Sequence, residues 1–221
     1  MYPYRIYIDE RKGRGGAIDA IGALCLHSGV WPGLHRQLLS AALPYRRVHW
    51  SELDDTEGAT AKAMLEFFLH GPLMFFVALK RPPEFRPGMH DMAVRLVQIL
   101  ENSNRVPGGL HRSQTEAYLD RDTAYDESVL NRLRSFGIRY ADVIVNRQSL
   151  ELQLADVLLG ITTLETDGLM HADPNSRRTL RKRSVLEHLR REVEHSARRG
   201  KRNAILSMSW SGDPEILFCG G

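Results

Sequence analysis

The chain predicts an α/β protein, a mixed β-sheet covered by helices. Three observations carry that reading. Short strand-like runs alternate with segments of helical period through most of the 221 residues. The first two apolar runs are joined by a Gly-rich turn, the pattern of a hairpin. Leu73 to Leu79 is continuously apolar, the mark of a strand covered on both faces.

Tyr4, Ile6 and Ile8 alternate with Arg5, Tyr7 and Asp9, which predicts a strand over residues 4–9 with one apolar side. Arg11-Lys12-Gly13-Arg14-Gly15-Gly16 is a basic turn, and Ala17 to Leu26 is apolar enough for a central strand. The turn lacks the Gly-Lys-Ser/Thr ending of a phosphate-binding loop, so a connecting role is favoured over a phosphate cradle. Leu34 to Leu43 reads as a short helix, and Arg46 to Leu53 as a short strand entering a turn. Thr56 is the expected cap of a helix reaching His70, with Ala63, Leu65, Phe67 and Phe68 toward the core and Gly71-Pro72 as the stop. Helical spacing resumes from Gly88 to Asn102 through Met92, Leu96, Ile99 and Leu100, and a loop follows over Asn104 to Gly109. Thr115 to Asp120 is the next strand. Asp126 to Phe136 carries Val129, Leu130, Leu133 and Phe136 on one stripe and ends at Gly137. A strand over Arg139 to Val145, an apolar helix from Leu150 to about Glu165, a basic helix from Ser184 to Arg199 and an edge strand over Ile205 to Met208 complete the order. Residues 1–170 form the expected main domain, and 171–221 a basic C-terminal helical extension packed on it.

Hydrophobic residues at 43% and charged residues at 26% are ordinary for a soluble globular chain. Cys25 and Cys219 alone supply neither a disulfide framework nor a Cys/His zinc pattern, so a reducing compartment is the default. Met1-Tyr2-Pro3 leads directly into a strand, and no apolar run approaches the ~20 residues that span a bilayer. No signal peptide and no membrane partner are expected, and the cytoplasm is the expected location. Net charge is +3, but Arg177 to Arg202 holds 11 Lys/Arg against 3 Glu, leaving the rest of the chain acidic. An acidic body with a basic region suits a polyanion-binding face. The alternative is a solvated helix, since Glu187, Glu192 and Glu194 interleave with the arginines.

Three aspartates stand where packing gives no reason for a carboxylate. Asp9 and Asp120 end strands, and Asp156 interrupts the oily stretch from Leu152 to Leu159. An ionised carboxylate in apolar surroundings is costly unless a cation or donors compensate it. Carboxylates converging from different elements suit Mg²⁺, which takes oxygen ligands. Two such ions roughly 4 Å apart activate water and stabilise the leaving oxygen in phosphodiester hydrolysis. Asp9, on a central strand, is the candidate bridge.

Tyr7-Ile8-Asp9-Glu10, His49-Trp50-Ser51-Glu52-Leu53 and Leu152-Gln153-Leu154-Ala155-Asp156-Val157-Leu158-Leu159-Gly160 resemble, in order, the signature blocks of the bacterial family called domain of unknown function 3800. That family is a branch of the ribonuclease H-like superfamily, and the blocks with their spacers cover residues 4 to 165. The resemblance implies a ribonuclease H-like fold and Mg²⁺- or Mn²⁺-dependent cleavage of nucleic acid, DNA or RNA. It assigns Asp9, Asp120 and Asp156 to the metals, with Glu52 and Glu10 as further acids. The family commonly follows its Asp-Glu with Ser-Gly, whereas Arg11-Lys12-Gly13 stands here, so loop shape or substrate contacts differ. Arg11, Lys12 and Arg14, with Arg181, Lys182 and Arg183, are the candidate backbone contacts. A catalytically inactive nucleic-acid-binding or protein-interaction module is the alternative.

Each residue has a structural counterpart role. Asp9 alternatively caps the hairpin turn, Asp122 competes with Asp120, and Asp156 alternatively pairs with Arg5. Glu52 alternatively marks a helix start, and Glu10 a turn. His49, His188 and His195 read as surface histidines, and Trp31, Trp50 and Trp210 as core or edge aromatics.

Overall fold

Alternation along β1 (Tyr4–Arg11) organises the molecule: Tyr4, Ile6 and Ile8 are buried on one side of the sheet, and Tyr7 and Asp9 on the other. The computed structural model describes residues 4–11, 19–29, 31–41, 47–71, 73–80, 89–102, 110–120, 127–144, 149–167, 173–198, 204–209 and 214–219. β1 pairs antiparallel with β2 (Asp19–His27), in the expected hairpin, and β2 pairs antiparallel with β3 (Met74–Lys80). On its other side β1 pairs parallel with β4 (Thr115–Asp120), and β4 parallel with β5 (Tyr140–Ile144). β6 (Ala204–Ser209) joins β3 in parallel and β7 (Pro214–Cys219) closes the edge. The order is β5-β4-β1-β2-β3-β6-β7.

Helices cover both faces. The face carrying Tyr7 packs against α1 (Trp31–Ala41), α2 (Asp55–His70), α5 (Leu150–Asp167) and α6 (Arg177–Arg198). The opposite face packs against α3 (Met89–Asn102) and α4 (Glu127–Ser135) through Leu96, Val97, Leu100, Val129 and Leu133. β3 serves both layers, with Phe75 and Val77 on the first and Phe76 and Ala78 on the second. This explains its unbroken hydrophobicity. α5 is apolar nearly all round because the sheet lies on one side of it and α1, α2 and α6 on the others. Among the described residues no helix is long and apolar enough to cross a membrane.

Four expectations need correction. The C-terminal region is not a helical extension alone, since after α6 its two strands enlarge the sheet. β7, not the run at Ile205, is the edge; Gly212-Asp213 before an apolar triplet was the available signal. α6 begins at Arg177, two turns before the expected Ser184. α2 is capped by Asp54 rather than Thr56, through a reciprocal bond pair: the Glu57 amide donates to Asp54 and the Asp54 amide to Glu57. α4 ends at Ser135, and the expected stop, Gly137, follows with a φ of +103°, where only glycine is unstrained.

Candidate metal centre

The stretch before α2 has no regular structure at 47–49, with His49 extended, and turns through a single 3-10 turn, Trp50–Glu52, without joining the sheet as expected. Its amides find α5 side chains instead of a neighbouring strand. Val48 donates to Gln153 Oε1 at 2.9 Å and Trp50 to Asp156 Oδ2 at 2.8 Å. Gln153, Asp156, Gly160 and Thr163 recur at helical spacing and share one face of α5. The Trp50 indole lies against Gly160, occupying the space a Cβ would fill. Thus the second and third sequence blocks interlock through backbone donors and a missing side chain. Gln153→Leu should strand the buried Val48 amide and cost about 1–3 kcal/mol in chemical denaturation. An unchanged midpoint would show that the bond does not hold this segment.

Asp9 and Asp120 meet by register. Tyr7 pairs with Tyr118 and their rings stack at 5.2 Å, so two residues later both aspartates lie on the same face of neighbouring parallel strands. Each is 3% exposed. Asp156 reaches that face from α5, with its side chain 16% exposed. Burial, then the charges of Asp156 and Asp120, push Asp9 well above the usual carboxylate range, against the opposing effect of the Glu10 amide that it accepts at 2.9 Å. Burial also raises Asp156, assisted by Asp120 and opposed by His49, the Trp50 amide and Lys182. The three aspartates therefore sense one another inside one largely dry region.

Other candidates are distributed around this trio. Glu10, by alternation, faces the opposite layer from Asp9, and Glu52 is exposed on its turn. Arg5 does not pair with Asp156; it bridges Glu116 at 2.9 Å and stacks on Trp31 at 4.3 Å. Arg11, on the Asp9 face, donates to Thr163 of α5. Lys12, Arg14, Asp122 and Trp210 lie outside the described residues. Arg181 is held by Asp55 through both carboxylate oxygens, at 2.5 and 2.9 Å, and Arg183 is exposed. Lys182 is half-buried over the Trp50 ring, and burial beside Arg11 and Arg178 pushes its pKa down to about 8.

Sequence reasoning undervalued the histidines. His49 Nδ1 lies 3.9 Å from Asp156 Oδ2 while accepting the Ser51 amide. His188 contacts Glu66 at 3.1 Å and ties α6 to α2. The signal for His49 was its place in the second block, one residue before the Trp50 amide that holds Asp156.

The donor set fits a hard divalent cation in chemistry: oxygen ligands, burial, and mutual repulsion that a cation would relieve. Among the described residues, no group of three or more His, Cys, Asp and Glu side chains is gathered closely enough to hold a metal ion. The carboxylates share a region without enclosing an ion site. No protein-family model matches the chain, and no curated protein matches it.

Proposed function

We propose that the protein is a metal-dependent nuclease on a ribonuclease H-like fold, hydrolysing nucleic-acid phosphodiester bonds. The observation that carries this reading is Asp9: a buried carboxylate on the central strand, repelled by both Asp120 and Asp156. Three acids placed in one dry region destabilise a metal-free protein and suit cation binding. Further support comes from the mixed sheet, in which a hairpin precedes helix-linked parallel strands, and from the likeness of the three sequence blocks.

Asp9, Asp120 and Asp156 would hold Mg²⁺ or Mn²⁺. The bound ion supplies activation of water and compensation of charge on the phosphate. Within the chain, the Trp50 amide orients Asp156, and the Glu10 amide orients Asp9. Arg11 stands on the Asp9 face as a cation for the substrate backbone. No side-chain nucleophile is required.

The alternative is an inactive module of the same fold that binds nucleic acid or protein. It is favoured by the absence of a closed ligand group among the described residues and by the Trp50 amide on Asp156. Calorimetric titration with Mn²⁺, paired with cleavage of labelled DNA and RNA in Mn²⁺ or EDTA, separates the two. The nuclease reading expects a saturable heat and metal-dependent products. No heat and no products with either nucleic acid would leave only the inactive module.

A further inference from the structure

Lys182 is a half-buried ammonium that makes no hydrogen bond or ion pair among the described residues. Its Nζ lies 5.4 Å from the centre of the Trp50 ring. Arg11 and Arg178 stand near enough to repel it, and Asp156 near enough to attract it. The fold creates this crowding deliberately in space: Arg11 is fastened to Thr163, Trp50 lies on Gly160, and both positions continue the α5 face that carries Asp156. The Trp50 indole N–H beneath the lysine is itself buried without a partner among the described residues.

Neutralising Asp156 does not account for this arrangement. A lysine serving that purpose alone would form an ion pair with it, as Arg181 does with Asp55. Lys182 instead sits on an aromatic face beside two further cations. Self-repelling positive charge, held partly out of water, is stabilised by an anion brought from outside. A phosphodiester offers two oxygens that accept from an ammonium and from guanidinium donors at once, which suits a place where three cations meet.

We propose that Lys182, flanked by Arg11 and Arg178, forms a phosphate subsite that grips the nucleic-acid backbone at the border of the carboxylate centre. The identity of the phosphate as nucleic acid rests on the nuclease reading; the oxyanion chemistry rests on the cluster itself. Ammonium and guanidinium donors suit phosphate oxygens, and the contact carries no base preference.

The test uses the full chain in EDTA and a short labelled single-stranded oligonucleotide, read by fluorescence anisotropy across a salt series, with inorganic phosphate as competitor. Lys182→Gln should weaken binding about tenfold and reduce the steepness of log affinity against log salt by about 0.7 to 1. Lys182→Arg should restore most of both, since it keeps the charge. Calorimetry with Mn²⁺ should give the same stoichiometry for Lys182→Gln and the wild type. Unchanged affinity and salt slope in Lys182→Gln would overturn the subsite. Equal losses in the Gln and Arg variants would overturn it too, by showing that packing on Trp50 is what matters. Lys182-dependent binding without any Mn²⁺ uptake would sink the nuclease reading and leave the subsite standing. Mn²⁺ uptake with Lys182-independent binding would do the reverse.

Discussion

Asp9→Asn should abolish Mn²⁺ uptake and nucleic-acid cleavage while raising the melting temperature of the metal-free protein. The two effects share a cause. Asp9 is 3% exposed, with Asp120 and Asp156 as electrostatic neighbours. Removing its charge relieves both the burial penalty and the repulsion. An Asn at this position keeps an oxygen to accept the Glu10 amide, so the local hydrogen bond survives. We expect a gain of about 1 kcal/mol, or ~2–4 °C for a chain of this size. Loss of the central ligand should remove several kcal/mol of transition-state stabilisation, about 10²–10³ in rate or more.

The pH dependence has a definite sign. Asp9 is raised in the folded state, so that state keeps its proton at pH values where the unfolded chain has released it. Stability from this group is therefore complete below the unfolded carboxylate range, about pH 4, and declines as pH rises toward the folded value. The difference in melting temperature between Asp9→Asn and wild type should widen from about pH 4 upward. Added Mn²⁺ should stabilise wild type and leave the variant unchanged. Asp156→Asn should gain less, because the Trp50 amide and His49 already favour the ionised form of Asp156. A variant that melts below wild type across the whole pH range would show that these carboxylates are not repelling one another.

Much of this arrangement was legible in the residues because it depends on short periods. Alternation placed Asp9 opposite Ile8, and the apolar run of β3 announced coverage on both faces. Helical spacing placed Gln153 and Asp156 on one face of α5. What sequence could not supply was the partner of each backbone group. The 46–53 stretch has the composition of a strand, yet its amides bond to side chains 105 and 106 residues away. A tertiary acceptor overrode strand propensity there. β7 was missed for a related reason: its run is short, and only the neighbouring β6 gives it a ladder. The cation cluster was equally hidden, because Arg11 and Lys182 are distant in sequence and join only through α5 and Trp50. Charge counting identified the basic segment, but it weighted Arg181 equally with Lys182. The fold commits Arg181 to Asp55 and leaves Lys182 over an aromatic ring.

Gly160→Ala should be the most damaging single added methyl among the described glycines. A Cβ at this position would lie 2.2 Å from Trp50 Cδ1 and Cγ and 2.4 Å from Cδ2. These atoms are at the root of the indole, not at the far end of a flexible chain, and Trp50 is 3% exposed. The ring must leave or α5 must shift, and either movement strains the Trp50 N–H bond to Asp156. We expect a loss of roughly 3 kcal/mol, with a fall of about 6–12 °C in melting temperature. Trp50→Leu alone should also destabilise the protein, by leaving a cavity beneath α6. In the Gly160→Ala background the smaller side chain accommodates the methyl, so the double variant should lose about 1–2 kcal/mol less than the sum of the two single losses. Strict additivity would refute direct contact between indole and helix. If contact exists, Mn²⁺ affinity should weaken in Gly160→Ala although no acid has been touched, because Asp156 is aimed by the backbone of the residue whose ring the glycine admits.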